Sequence, residues 1–246
     1  MQRLALFLVT LAATAAHAGA ISVSPSVIML HGSLGQSTTQ RISVENSTSQ
    51  LFSFRMEAQD VVIKDGRRAF AAAGATEGSI AATAVFSQSA VTVRPGEKVA
   101  VNVTFTLPPQ TKCRAVVALF RSTAVINHVR ASIGTLMTFA VSDDITIEPG
   151  DVRVTPQSNA ANSAFAQPLV NRGTEPVVAR GVVALLDARG HLVGKSELAP
   201  VRLLPSERND IRGEYPGDLK PGHYHVLLTM DLSGKSMTRT AEMEVR

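Results

Sequence analysis

Apolar and polar residues alternate along most of this chain. The clearest case is the segment from Val99 to Leu107, where apolar side chains at odd positions interleave with Ala, Asn and Thr. Successive side chains of a strand point to opposite faces, so this period of two predicts strands with one buried face and one face in water. The same period recurs from Leu51 to Ala58 and from Tyr224 to Met230. Helical spacing is rare, and the pattern therefore predicts an all-β protein.

Turn-forming residues separate the alternating segments, as in Lys64-Asp65-Gly66 and Arg94-Pro95-Gly96. Many short strands with frequent turns are typical of an antiparallel sandwich. The pattern runs twice and breaks at Ser142-Asp143-Asp144. We therefore expect two tandem immunoglobulin-like antiparallel β-sandwiches. The expected boundaries are an N-terminal domain over 21–142, a linker over 143–150 and a C-terminal domain over 151–246.

The alternation predicts seven strands in each domain. They cover 21–31, 39–46, 51–63, 83–93, 97–107, 113–122 and 130–141, then 151–155, 163–171, 176–187, 191–197, 200–212, 222–231 and 236–246. The Ala- and Gly-rich stretch from Ala69 to Ala84 is expected to be a mobile loop or an irregular edge, because few of its side chains can anchor a core. Tyr224 follows Lys220-Pro221-Gly222 and fits a tyrosine corner, in which the Tyr hydroxyl bonds to the preceding backbone.

The first twenty residues predict export. Arg3 precedes an apolar run from Leu4 to Ala15, and small residues at 16–20 suit a cleavage site. The run is shorter than the roughly 20 residues that a membrane-spanning helix needs, so we interpret 1–20 as a cleaved signal peptide and expect no membrane insertion. The expected location is the periplasm, with a secreted or envelope-associated protein as the alternative.

Cysteine usage and charge exclude several classes of protein. Cys113 is the only cysteine, so no intramolecular disulfide is possible, and a free thiol in an exported chain is typical of a buried residue. The 24 Lys and Arg barely exceed the 20 Asp and Glu and are dispersed, so the charge does not favour nucleic acid as a partner. With no Trp and two Tyr, the chain offers few aromatic side chains for stacking on bases or sugars.

No catalytic, nucleotide-binding or metal-binding motif is present. His223 and His225 lie two apart on one predicted strand, a pair that would need further ligands to hold a metal ion, and a solvated strand face explains them as well. Asp143, Asp144 and Glu148 suit a polar linker better than acid–base chemistry. We therefore expect a non-enzymatic protein with no catalytic residues, no metal and no cofactor.

Four short motifs carry a family resemblance. Ile21-Ser-Val-Ser-Pro25, Gly35-Gln36, Val44-Glu-Asn46 and Val93-Arg-Pro95-Gly96-Glu97 together resemble the N-terminal domain of periplasmic pilus-assembly chaperones, members of the PapD-like immunoglobulin-type superfamily. Three motifs of the second half are similar to the second domain of such proteins: Val170-Asn171-Arg-Gly173, Leu186-Asp187-Ala-Arg-Gly190 and Pro221-Gly222-His-Tyr224.

The resemblance implies a role in binding another exported protein, such as a pilin-like subunit. In that family the last strand of the first domain lends alternating apolar side chains to the subunit. The matching strand here is Val129 to Val141, and the implied partner-binding residues are Ile133, Thr135, Met137 and Phe139, with Arg114 and Arg130 as nearby cations. The alternative is that this apolar face closes the core of its own domain.

The chain departs from the family at the anchor for the subunit's terminal carboxylate. Such chaperones use an Arg on the first strand and a Lys on the last, whereas this chain has Val27 and then Ser142 or Asp143 at those places. Two hypotheses therefore stand. One is a fimbrial-chaperone-like or assembly factor that binds through an edge strand and the interdomain cleft. The other is a structural or adhesive envelope module without chaperone activity.

Overall fold

The computed structural model describes residues 20–124, 131–156 and 162–246, and it is almost entirely β-structure. The segment interpreted as a signal peptide lies outside the described residues except for Ala20. Within the described residues, ten strands form the N-terminal half: β1 Ile21–Ser24, β2 Val27–His31, β3 Ser37–Asn46, β4 Phe52–Lys64, β5 Arg67–Ala72, β6 Val85–Phe86, β7 Ala90–Val93, β8 Lys98–Thr106, β9 Ala115–Ser122 and β10 Ser132–Ala140.

The N-terminal strands form two sheets. One has the order β1-β3-β8-β6, and the other has the order β2-β10-β9-β4-β5, with β7 beside β4. The chain leaves the first sheet after β1, turns at Pro25 and enters the second sheet as β2. Its pairing with β10 is parallel, and the other strand pairs of this half are antiparallel.

The two sheets enclose one apolar core. Alternate residues of β8, Val101, Val103 and Phe105, point into it, as the sequence alternation predicts. Edge-to-face ring contacts join Phe105 to Phe139, with centroids 6.5 Å apart, across the sandwich. Each large apolar side chain buried in this way contributes about 1.5–3 kcal/mol to folding.

The stretch from Ala69 to Ala84, expected to be a mobile loop or an irregular edge, begins in an edge strand of this sandwich. Arg67–Ala72 forms β5, which pairs with β4 through a tight turn at Asp65 and Gly66, both with positive φ. A short 3-10 helix follows at Ala81–Thr83. The buried Asp60 carboxylate accepts hydrogen bonds from Thr76 Oγ1 and from Ala81 N, each 2.9 Å long. The anchor for this segment therefore lies on β4, outside the segment itself.

Eight strands lie in the described part of the C-terminal half: β11 Ile147–Pro149, β12 Arg153–Thr155, β13 Ser163–Asn171, β14 Val177–Asp187, β15 Leu192–Leu203, β16 Arg208–Tyr215, β17 Gly222–Leu232 and β18 Lys235–Val245. Their order is β11-β13-β16-β15-β14-β17-β18, with β12 beside β13. The β15–β16 ladder has the single pair Ala199–Arg212, so β15 connects two opposed sheets. A second apolar core lies between them. The all-β, tandem-sandwich class predicted from the sequence is confirmed.

Two details of the C-terminal half differ from the prediction. Residues 191–197 and 200–212 were expected to be separate strands, but β15 runs through Pro200, which lies at a bulge opposite β14 where a proline is tolerated. The turn comes instead before β16, where Ser206 has a φ of 67°. The short strand β11 falls within the segment expected to be a linker. The tyrosine corner is confirmed, because Tyr224 Oη donates to Lys220 O at 2.6 Å.

Candidate functional site: the cleft between the sandwiches

A cleft of about 810 Å³ lies between the two sandwiches. Val27 of β2 and Leu136 of β10 line its N-terminal side, together with the β4–β5 turn. Residues from the end of β15 and the start of β16 line the opposite side. The strand order explains this position, because β2 and β10 are neighbours at one edge of the second sheet.

One ion pair bridges the sandwiches beside the cleft. Arg68 donates to both carboxylate oxygens of Glu207, from Nε at 2.8 Å and from Nη2 at 3.1 Å. Arg68 Nη2 also donates to the carbonyl oxygen of Arg202 at 2.7 Å. The backbone adds a bond from Arg208 N to Gly66 O, 2.9 Å long. These contacts tie the β4–β5 turn to the C-terminal sandwich.

A small apolar cluster continues the contact. Leu204, which follows β15, is buried against Val61, Ala115 and Val117 of the N-terminal sandwich. Burial at such a junction excludes water from the backbone on both sides. This cluster therefore adds an apolar contact between the two halves.

A second, more deeply buried ion pair lies at the junction of the two halves. Glu175 is 1% exposed. Its carboxylate accepts from Arg114 Nε at 3.2 and 3.3 Å, from Val141 N at 2.9 Å and from Ser142 Oγ at 3.0 Å. Arg114 in turn donates to the carbonyl oxygens of Thr111 and Cys113. The guanidinium and the carboxylate satisfy each other, as buried charges require.

The structure places the implied partner-binding side chains of β10 inside their own sandwich. Met137 is 0% and Phe139 is 2% exposed, Thr135 is buried, and Ile133 is half-buried against the same core. Thr135 Oγ1 donates to Pro25 O at 2.6 Å. The odd positions of β10 face the opposite sheet, so these side chains are used by this domain, as the alternative interpretation expected.

The resemblance also implied two cations near that strand, Arg114 and Arg130. Arg114, expected to be a nearby cation for a partner, is buried in the ion pair with Glu175 and presents no free charge. Arg130 lies outside the described residues. Sequence spacing did not reveal the pairing, since 61 positions separate Arg114 from Glu175.

The cleft instead adjoins an open strand edge. In the parallel ladder with β10, Leu136 N donates to Ser26 O and Gly32 N donates to Ala140 O. This register directs the peptide groups of the even-numbered residues toward β10, and those of Val27, Met29 and His31 away from it. Among the described strands, β2 pairs with β10 alone, so its outer edge is open. Val27, at the cleft end of this edge, is 41% exposed.

The free thiol of Cys113 lies close to Leu204 and Pro205, near the junction of the two halves. Cys113 is half-buried and contacts the carbonyl oxygens of Ala115 at 3.1 Å and Val61 at 3.7 Å. Burial raises the pKa of the Cys113 thiol above its ordinary value, with the nearby Asp60 carboxylate acting in the same direction. The protonated thiol is the favoured form, which suits a structural residue.

The histidine pair remains on an outer strand face. His223 and His225 are both exposed, and His225 Nδ1 lies 4.0 Å from Glu242 Oε1. Within the described ranges, His, Cys, Asp and Glu form no group of three or more that could hold a metal ion. In the same part of the chain, no helix is long and apolar enough to cross a membrane.

The fold and the cleft define a tandem β-sandwich protein of the immunoglobulin-like class. No protein-family model matches the chain, and no curated protein matches it. Among solved structures, it is similar to the class 5 fimbriae chaperone CfaA, with a TM-score of 0.47, 10% identity, and coverage of 90% of this chain and 98% of that one.

Two further solved structures belong to the same class. The Pseudomonas aeruginosa CupB2 chaperone has a TM-score of 0.41, 8% identity, and coverage of 92% of this chain and 100% of that one. The E. coli chaperone DraB has a TM-score of 0.42, 10% identity, and coverage of 93% and 98%. All three of these proteins are chaperones, and CfaA is a chaperone of class 5 fimbriae.

Proposed function

We propose that the protein is a non-enzymatic, periplasmic chaperone-like or assembly factor that binds another exported protein along the open edge of β2 and in the adjoining cleft. The observation that carries the proposal is the position of that edge. The unpaired side of β2 ends at Val27, which lines the cleft, so an extended segment of a partner can add to the sheet and continue between the sandwiches.

The composition of the edge supports strand addition. Natural proteins guard open edges with charged residues, and β18, an edge of the C-terminal sandwich, carries Lys235, Arg239, Glu242 and Glu244. The five residues of β2, Val-Ile-Met-Leu-His, include no Lys, Arg, Asp or Glu. A strand edge that carries no Lys, Arg, Asp or Glu and lies beside a cleft is suited to pairing with another chain.

The backbone hydrogen bonds that the outer edge of β2 can form limit its affinity for a partner. Val27, Met29 and His31 each offer an outward N–H and C=O, and a hydrogen bond contributes about 0.5–1.5 kcal/mol net. Such a short edge gives modest affinity by itself. The cleft, with Val27 and Leu136 on one wall, adds the contacts that would select the partner.

In the proposed complex the strand that binds the partner is β2, whereas the family resemblance implies β10. The resemblance implies that β10 lends Met137 and Phe139 to a partner, but both are committed to the core of this sandwich. In the proposed complex β10 stays in place, and β2 supplies the backbone edge. The partner class, an exported protein such as a pilin-like subunit, comes from the sequence motifs and the expected signal peptide.

The test is capture of partners from the native periplasm by tagged mature protein, with bound species identified by mass spectrometry. Met29→Pro removes one outward N–H without removing a bond to β10, and prolines are tolerated on such edges. Met29→Thr is the matched control, because it changes the side chain and keeps the N–H. We expect a stoichiometric exported partner with the wild type and Met29→Thr, and at least tenfold less with Met29→Pro.

Two outcomes would contradict the proposal. Equal capture by Met29→Pro and Met29→Thr, with both variants folded by circular dichroism, would exclude strand addition at β2. Recovery of the wild type alone, or only with envelope components, would favour the structural or adhesive module.

A further inference from the structure

The outer face of one sheet of the C-terminal sandwich is apolar along an inner strand, β14. Val183 and Leu185 are buried in the core, so the residues that alternate with them, Val182, Ala184 and Leu186, point outward. The outward face of a sandwich sheet is normally polar, as on β3 and β8, where Ser and Thr hydroxyls pair across the strands. An apolar row on such a face indicates a surface that another molecule covers.

Neighbouring strands widen this apolar row. Leu192 of β15 lies beside Leu186, and Leu227 of β17 lies beside Ala184. Leu192 is 62% exposed. We refer to the outward side chains of residues 180–186, 192–197 and 225–231 as the outer C-terminal face. None of these residues lines the cleft between the sandwiches.

The outer C-terminal face has an apolar ridge at one end and a hollow at the other. The exposed Leu192 and the half-buried Leu186 form the ridge, next to the β14–β15 turn. The hollow has a volume of about 420 Å³, and its lining includes Val182, Leu198 and Pro200. It lies at the bulge of the β14–β15 ladder beside Pro200. One face therefore carries both a ridge and a hollow that can receive a ridge.

A two-fold axis makes the outer C-terminal face complementary to itself. The axis runs across the strands, between the row that contains Lys195 and the row that contains Glu197, and it reverses the strand direction from one copy to the other. Leu186 and Leu192 of each copy then lie over the hollow of the other copy. Two sheets packed face to face lie about 10 Å apart, which is close enough for their side chains to interdigitate.

The charges of the face agree with this arrangement. Lys195 and Glu197 are both exposed on β15, and the axis places each Lys195 opposite the Glu197 of the second copy. It also places His225 opposite Asp231 of the second copy, because these two residues lie equally far from the axis on β17. Opposite charges across an interface fix its register and disfavour other orientations.

We infer that the outer C-terminal face is a dimer interface and that its occupant is a second copy of this chain. A copy is favoured over a different protein because the same face supplies both members of each charge pair and both the ridge and the hollow. The interface uses no residue of β2, so it extends beyond the proposed function.

The size of the face indicates a weak dimer. Three strands and four rows of side chains cover on the order of 400 Å² in each copy, less than the roughly 800 Å² per partner of standard interfaces. We therefore expect a dissociation constant of roughly 10–100 μM. Sedimentation equilibrium of the mature protein from about 1 to about 500 μM covers this range.

Exchange of the two charges on β15 tests the orientation of the copies. Lys195→Glu places acids opposite each other and Glu197→Lys places lysines opposite each other, so each single variant should weaken the dimer at least tenfold. The double variant, Lys195→Glu with Glu197→Lys, restores opposite charges at the same places. We expect its dissociation constant to be within threefold of that of the wild type.

A matched pair of apolar substitutions tests the ridge. Leu192→Asp introduces a charge where the ridge enters the hollow, and it should leave the protein monomeric up to the highest concentration. Val85→Asp is the control, because Val85 is 66% exposed, much like Leu192, but lies on β6 of the other sandwich. It should dimerise like the wild type. Circular dichroism establishes that the variants, which alter exposed side chains, are folded.

Four outcomes would overturn the inference. They are a wild type that stays monomeric, a dimer that survives Leu192→Asp, single charge variants that dimerise like the wild type, and a double charge variant that is not restored. A monomeric wild type whose capture of an exported partner is lost in Leu192→Asp would assign the face to that partner instead. Met29→Pro should dimerise like the wild type, so failure of strand addition at β2 is distinguishable from failure of this interface.

Discussion

Arg114 and Glu175 face each other across the junction of the two sandwiches, with Arg114 Nε 3.2 Å from Glu175 Oε1. Their side chains are 10% and 1% exposed, so the pair lies out of solvent. Glu175 also accepts from Val141 N and Ser142 Oγ, at the end of the N-terminal sandwich. One carboxylate thus accepts hydrogen bonds from three groups of the other half.

Removal of one partner should destabilise the junction strongly. Arg114→Met leaves the Glu175 carboxylate buried with its main counter-charge gone, which costs about 3–5 kcal/mol. Replacing both, Arg114→Met with Glu175→Leu, should recover much of that loss, because no buried charge is left. Urea unfolding of the single and double variants measures the difference. A double variant as unstable as the single one would show that the interaction is not the source of the effect.

The core position of Met137 makes a clear prediction for β10. Met137→Asp places an unpaired carboxylate in the apolar core, with a cost on the order of 5 kcal/mol or more, comparable with the stability of a domain. We expect the N-terminal sandwich to unfold, which far-ultraviolet circular dichroism would detect as a loss of β-sheet signal. Val27→Asp, on the exposed end of β2, is the control and should remain folded. A folded Met137→Asp that fails to capture a partner would return β10 to the role that the family resemblance implies.

The tyrosine corner should stabilise the C-terminal sandwich measurably. Tyr224→Phe leaves the ring in the core and removes the hydroxyl that donates to Lys220 O at 2.6 Å, so we expect a loss of about 1–3 kcal/mol. Tyr215→Phe is the comparison, because its hydroxyl lies 3.4 Å from Val193 O, which is long for an O–H···O bond. Thermal melts should separate the two variants, and equal melting temperatures would contradict a role for the corner.

The parts of this fold that were predictable from sequence are those set by local periodicity. The alternation in β8 and the motif before Tyr224 each place side chains within one strand or one turn, where sequence neighbours are also spatial neighbours. The positions of Thr76 and Ala81 were not predictable from the Ala-rich segment that contains them, because Asp60, which accepts hydrogen bonds from both, lies on β4.

The candidate site is formed by residues that lie far apart in the sequence. The open edge of β2 exists because β2 pairs in parallel with β10, more than a hundred positions later. The ion pair between Arg68 and Glu207 joins residues that lie 139 positions apart. The motifs indicated a class of protein, whereas the groups free to act are known only after every pairing in the fold is accounted for.

The Cys113 thiol predicts how stability depends on pH. Its pKa is raised in the folded protein, chiefly by burial, from an ordinary value of 9.0. The folded state therefore holds this proton more tightly than the unfolded state does. The contribution of the thiol to the free energy of unfolding is fully present below the unfolded pKa and is lost as the pH rises through the folded pKa.

Comparison of the wild type with Cys113→Ala isolates the effect of this thiol from those of the other titratable groups. The difference in free energy of unfolding should be constant from pH 6 to about 8 and should shift against the wild type above about pH 9. A difference that stays flat through pH 10.5, or a thiol that reacts with a disulfide reagent as fast in the native protein as in urea, would contradict the buried, protonated state.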